Sequence, residues 1–119
     1  MSKTVLIAED ENFLREMLQM EISEHGIDVV TAANGQETIE AIESAVPSLL
    51  LLDLLMPKVD GYAVLEHIRQ KGYSFPVIVL SNLSDSAQQE ACTKLGVKDF
   101  LIKSNIDEDE LWKKVELYL

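Results

Sequence analysis

The run LLLLDLLMPKVDG, residues 49–61, decides how the rest of the chain is read. Four leucines lead into Asp53, and Leu54, Leu55 and Met56 follow before Pro57. A continuous apolar run of this kind suits a strand buried on both faces, as in a parallel sheet. A lone carboxylate at its end costs free energy unless something pairs with it. The fold question is whether similar runs recur; the functional question is what accompanies Asp53.

Similar runs do recur. TVLIAE (4–9), IDVVTA (27–32), SLLLLD (48–53), FPVIVLS (75–81) and DFLIK (99–103) are short and rich in branched residues. Helical patterns fill the spaces between them. Residues 12–26 carry Leu14, Met17, Leu18 and Ile22 at helical spacing, with Gly26 as a stop. Asn34-Gly35 is a hairpin signal, but the helix formers of QETIEAIESA after it, with Ile39 and Ile42 three apart, predict a helix. Tyr62–Lys71 is the third helix, and DSAQQEACTKLG is a weaker fourth ending near Gly96. The last starts near Asp107, where Asp107, Glu108, Asp109 and Glu110 suit the positive end of the helix dipole. Five strands alternating with five helices predict an open, doubly wound α/β sandwich with right-handed crossovers.

Composition narrows the function classes. At 119 residues the chain is expected to form one domain over 1–119, with no output domain after the fifth helix. A net charge of -11 opposes contact with nucleic-acid phosphates and anionic lipid, so direct nucleic-acid and membrane partners are not expected. The single cysteine, Cys92, excludes an internal disulfide. No apolar run approaches the roughly 20 residues needed to cross a bilayer, and the N-terminal run is too short for a signal peptide. These features suit a cytoplasmic protein.

In open parallel sheets, ligands gather at the carboxyl ends of the strands. The first run ends in Glu9-Asp10, the third in Asp53, the fourth in Ser81-Asn82 and the fifth in Lys103-Ser104. Three carboxylates, a hydroxyl and an ammonium thus fall on one edge. Two like charges about 4 Å apart repel by about 4 kcal/mol at an effective dielectric of 20, so three mutually close carboxylates cost on the order of 10 kcal/mol. The cluster needs protons or cations. One divalent metal plus Lys103 matches three carboxylates, and oxygen-only ligands favour Mg²⁺. A carboxylate beside a metal, an ammonium and a hydroxyl suits phosphoryl transfer: Asp53 as nucleophile, with Lys103 and Ser81 stabilising charge on the phosphoryl oxygens.

With those residues in place the chain resembles the receiver domain of bacterial response regulators, the CheY-like fold. The resemblance runs from Thr4 to Leu119 and rests on Glu9-Asp10, LDLLMPKVDG around Asp53, Ser81 ending VIVLS, and Lys103 in DFLIK, in that order and spacing. It implies a flavodoxin-like strand order of 2-1-3-4-5. It implies that Asp53 accepts a phosphoryl group from a histidine kinase or histidine phosphotransfer protein. Asp10, Asp53 and the backbone carbonyl of Leu55 would bind Mg²⁺, with Glu9 acting through water. Ser81 and Lys103 would contact the phosphoryl group. Phe100 falls at the family's switch aromatic, so Ser81 and Phe100 together would remodel the surface of the fourth and fifth strands and helices for a downstream protein, an output domain or a phosphorylation-dependent homodimer.

The chain departs from the family pattern in four places. Glu9 stands where Asp is more usual, Ser81 replaces Thr, and Asn82 replaces a very small residue, narrowing entry. Ser104 stands where Pro usually follows a cis peptide; cis before a non-proline residue costs about 2.5–4 kcal/mol, which favours trans here. Leu55 and Leu83, two residues past Asp53 and Ser81, flank the expected path of an attacking water. Being apolar, they cannot orient it, so slow loss of the phosphoryl group is expected. A phosphorylation-independent interaction module is the alternative function. A hydrolase of the haloacid dehalogenase type needs a second Asp at position 55, where this chain has Leu.

Overall fold

The computed structural model describes residues 3–56, 58–81 and 86–119. Five parallel strands form one sheet in the order β2-β1-β3-β4-β5: β1 (Thr4–Ala8), β2 (Asp28–Ala32), β3 (Leu49–Asp53), β4 (Val77–Ser81) and β5 (Asp99–Ile102). The helices are α1 (Asn12–Ser23), α2 (Gly35–Ser44), α3 (Gly61–Lys71), α4 (Ser86–Lys94) and α5 (Glu108–Tyr118). The expected architecture and strand order are both present.

The strands sort their side chains by parity, as the pleat requires. Val5 and Ile7, Leu49 and Leu51, Ile78 and Leu80, and Leu101 pack on one face against Leu18 and Ile22 of α1 and Leu111 and Val115 of α5. Leu6 and Ala8, Leu50 and Leu52, and Val77 and Val79 pack on the other, against Ile42 of α2, Val64, Leu65 and Ile68 of α3 and Cys92 of α4. The continuous apolar runs are therefore two interleaved cores.

The second strand is an exception. β2 lies at the sheet edge and alternates between exposed and partly covered residues, with Val30 46% exposed. The expectation of burial on both faces holds for β3 and β4, whose residues are all buried, and fails at the edge, where no further strand provides cover. Phe75 and Pro76 precede β4 rather than open it, and Lys103 begins a short 3₁₀ turn, Lys103–Asn105, rather than ending β5.

Local chemistry explains the helix starts. Asn34 caps α2 by accepting a hydrogen bond from the Glu37 N–H at 2.8 Å, so the Asn-Gly pair opens a helix instead of a hairpin. Asp60 caps α3 through Ala63 N–H at 2.9 Å, and Asp107 caps α5 through Asp109 N–H at 2.8 Å. Gly61 serves close packing: a Cβ there would lie 2.6 Å from Leu54 Cα and 2.7 Å from the Asp53 carbonyl oxygen. Gly35 is tighter, since a Cβ would lie 1.8 Å from the Val59 carbonyl oxygen. The two glycines let α2 and the start of α3 clamp the segment after Asp53.

Candidate functional site

Parity and strand ends assemble the site. Asp53 is the last residue of β3 and shares the α1/α5 face with Leu49 and Leu51; Glu9 follows β1 with the parity of Val5 and Ile7. Lys103 follows β5 with the parity of Leu101 and reaches back over the sheet edge. Its Nζ lies 2.9 Å from Glu9 Oε1, 3.2 Å from Glu9 Oε2 and 3.2 Å from Asp53 Oδ2. Carboxylate oxygens of Glu9, Asp10 and Asp53 all lie within 4.8 Å of one another. The structure thus brings together Glu9, Asp10, Asp53 and Lys103.

The company of Asp53 is now explicit. One oxygen meets the Lys103 ammonium, and the other accepts the Leu55 N–H at 3.1 Å. Asp53 is 2% exposed and Glu9 fully buried, whereas Asp10 faces solvent. Glu9 Oε2 also accepts the Glu11 N–H at 2.9 Å. Its Oε1 is buried without a hydrogen bond: the ammonium is close enough for charge pairing but is not aligned to donate to it. An acceptor left in that state invites a further donor or cation.

Protonation relieves the crowding unevenly. Burial pushes Glu9 up from 4.5 to about 7, against the lowering effect of the Glu11 N–H and Lys103. Burial also raises Asp53, opposed by the Leu55 N–H and Lys103. For Asp10, partial burial disfavours charge, but hydrogen bonds to Glu9 and Asp53 outweigh it and lower its pKa. Burial disfavours charge on Lys103 as well, yet its hydrogen bond to Glu9 and the Asp53 charge win and hold it protonated. A proton, an ammonium and one solvated carboxylate together make the cluster tolerable. An all-oxygen donor set with an orphaned carboxylate oxygen fits a hard divalent cation.

The remaining predicted positions divide. Ser81 is buried at the end of β4, one residue past the Leu80 that pairs with Asp53, and its parity places it with Val77 and Val79 on the α2–α4 face. Phe100 has the same facing: it is half-buried and packs against that core, while its carbonyl accepts Lys114 Nζ at 2.6 Å. Leu55 is 66% exposed and joins Asp53 through its N–H. Asn82, Leu83 and Pro57 lie outside the described residues. The peptide bonds among the described residues are all trans, Lys103–Ser104 included.

Two contributors were not foreseen from the sequence. Glu11 fixes Glu9 through its N–H and brings a third carboxylate to 3.9 Å from Lys103. Arg15, one turn into α1, donates to the Glu9 carbonyl at 2.9 Å. Glu11 is signalled only by its place directly after the acidic pair, and Arg15 by nothing in the sequence. The His25 ring stacks on Trp112 at 3.7 Å, tying the turn after α1 to α5, and Met20 is 64% exposed.

Comparison with known proteins agrees with this geometry. The family model described as the response regulator receiver domain matches residues 5–116. The chain is 37% identical over 101 residues to a probable transcriptional regulator ycf27 of Cyanophora paradoxa, covering 85% of this chain and 42% of that one. It is 36% identical over 113 residues to the Regulator of RpoS of Escherichia coli K12, covering 95% of this chain and 34% of that one. It therefore spans less than half the length of these relatives. The Francisella response regulator 1452 receiver domain superposes with a TM-score of 0.92 at 29% identity, covering 98% of this chain and 96% of that one. None of the described helices is long and apolar enough to cross a membrane. The sheet order, the acidic cluster at its carboxyl edge and the family match agree: this chain belongs to the response regulator receiver domains of two-component systems.

Proposed function

We propose that residues 1–119 form one receiver domain that accepts a phosphoryl group on Asp53 from a histidine kinase or histidine phosphotransfer protein. The observation that carries this reading is the contact of Lys103 with Asp53 at 3.2 Å inside a cluster of acids in which Glu9 and Asp53 are buried. An Asp53 oxygen attacks phosphorus, the P–N bond to the donor imidazole breaks, and the imidazole leaves. The Leu55 N–H and the Lys103 ammonium orient the carboxylate. Lys103, and Ser81 at the end of β4, neutralise or hydrogen-bond the phosphoryl oxygens. Asp10, Asp53 and the Leu55 carbonyl would hold Mg²⁺, with Glu9 acting through water. The ion would add positive charge beside the phosphoryl oxygens.

The phosphoryl group adds charge at the sheet edge, and Ser81 and Phe100 carry the response to the face of α4, β5 and α5. That surface selects a downstream protein or output domain, or a second copy of the chain. The domain works in the cytoplasm and turns over no outside substrate. Asn82 and Leu83 with Leu55 set access to the phosphoryl group and the rate of its loss.

The complete set of acids and ammonium favours this reading over a phosphorylation-independent interaction module. Incubation with Mg²⁺ and acetyl phosphate, followed by intact mass measurement, separates the two. The proposal expects the mass of one phosphoryl group to be gained, and no gain in Asp53→Asn. An unchanged mass in the unmodified protein, with no beryllofluoride binding, favours the interaction module.

A further inference from the structure

At the edge of the sheet opposite Asp53, a cleft of about 380 Å³ opens between the C-terminal ends of α3 and α4. Leu65, Ile68 and Val77 belong to the core beneath it, and Tyr73 and Phe75 supply aromatic wall, their ring centroids 5.8 Å apart. Its volume falls within the roughly 300–1,000 Å³ of small-molecule sites. Gly72 and Gly96 end the two helices with φ of 75° and 93°, and nothing lies within 4 Å of where their Cβ atoms would be. The turn glycines therefore leave the mouth open.

The rim is basic. Arg69, Lys94 and Lys98 line the cleft, and no carboxylate does. Among the described residues none of the three forms an ion pair, although the chain has 21 acidic side chains against 10 basic ones. Cations in the last turn also stabilise helix C-termini, and this accounts in part for Arg69 and Lys94. Each helix end carries roughly half a negative charge, so the three cations exceed them by about two charges. Lys98 belongs to neither helix. Its backbone is fixed from two sides, by its N–H to the Val77 carbonyl at 2.9 Å and by its own carbonyl accepting from Tyr118 at 3.3 Å. Arg69 donates to the Lys94 carbonyl at 2.9 Å, joining the helix ends and leaving other guanidinium donors for a ligand.

We propose that this cleft binds a small organic anion: an apolar, ring-sized body seated against Tyr73 and Phe75, with a carboxylate, sulfonate or phosphate held by Arg69, Lys94 and Lys98. The molecule as a whole repels anions, so attraction here is local and depends on those three side chains. A second cleft of about 360 Å³, lined by Val30, Val46 and Pro47, has no cation and serves as an internal comparison. The proposal stands apart from phosphorylation of Asp53.

The test is an amide NMR titration with 8-anilinonaphthalene-1-sulfonate, repeated with its uncharged counterpart N-phenyl-1-naphthylamine and with inorganic phosphate. The sulfonate should give saturable shifts at residues 68–75 and 95–98. Affinity should fall at least tenfold for the uncharged probe and for Lys94→Glu/Lys98→Glu, two exposed positions at the edge of the sheet opposite Asp53, with phosphorylation of Asp53 retained as the check on folding. Phosphate alone should fail to saturate the site. Shifts centred on Val30 and Val46, equal affinity in the charge-reversed variant, or no saturable binding would each overturn the proposal. Should the double variant unfold, Lys94→Gln and Lys98→Gln singly should each weaken binding at least threefold, and unchanged affinity in both would also overturn it.

Discussion

The two flanks of Asp53 are built differently. On one, α3 buries Gly61, Val64, Leu65 and Ile68, and Gly35 and Gly61 let backbone approach backbone so closely that no Cβ fits. On the other, α4 has the sequence SAQQEACTK, and Cys92 is the one buried residue among its described side chains. Ser81 and Phe100 lie on the sheet face beneath α4, and neither belongs to the clamped segment. The difference teaches where a charge change at Asp53 can be absorbed. A flank that is close-packed transmits force without moving; a helix held by few buried contacts opens at low free energy. On the proposed function, the close-packed side would hold the carboxylate in place and the side under α4 would respond.

The largest expected effect is on the firm flank. Leu65→Ala should cost about 2–5 kcal/mol by urea denaturation, as a large buried leucine truncated in a core. Cys92→Ala on the other flank should cost about 1 kcal/mol. Equal costs would erase the contrast. Gly35→Ala should cost about 1–3 kcal/mol through overpacking against Val59. It should also weaken Mg²⁺ binding, because the displaced segment carries Leu55; unchanged metal affinity would detach the clamp from the site.

The charge cluster between the flanks gives a pH effect. Glu9 stays protonated up to about 7 in the fold but only to about 4.5 when unfolded. Between those values the folded state holds more protons, so stability falls as pH rises. Asp53, also raised, acts in the same direction, whereas Asp10 is lowered and Lys103 titrates far above this window. Chelator-treated protein should therefore be more stable to urea at pH 5 than at pH 8, with a smaller difference in Glu9→Gln and in saturating Mg²⁺. A slope unaffected by both changes would contradict the assignment.

Smaller effects sharpen the same contrast. Amide hydrogen exchange should be faster in α4 than in α3, and changes on phosphorylation should concentrate in α4 and β5. Leu55→Asn should shorten the lifetime of the phosphorylated protein several-fold, since Leu55 is exposed beside Asp53 and its side chain cannot orient water. An unchanged decay counts against that role.

Much of this was legible in the chain. The apolar runs predict β1, β3 and β4 closely because those strands are covered on both faces, and each predicted site acid follows or ends such a run. Strand order was not readable from hydrophobic pattern, since right-handed crossovers permit several orders; it came through the resemblance. The edge position of β2 was not readable for the same reason, although Asp28 and Thr31 make it less apolar than the central strands. Glu11 and Arg15 were missed because Glu11 acts through its own backbone N–H and Arg15 on the Glu9 backbone carbonyl, groups that any residue type can offer. The role of Gly61, which lets Leu54 and Asp53 come close to the start of α3, was not legible either. Such approaches depend on tertiary packing that pattern does not carry.

Calorimetric titration with Mg²⁺ at pH 8 tests the central claim most directly: that Glu9, Asp10, Asp53 and Lys103 form one charge-coupled cation site. The expected result is a single binding event, lost in Asp10→Asn and in Asp53→Asn, and unaffected by Arg69→Ala at the opposite edge of the sheet. Absence of binding, or binding that survives both carboxylate substitutions, would contradict it.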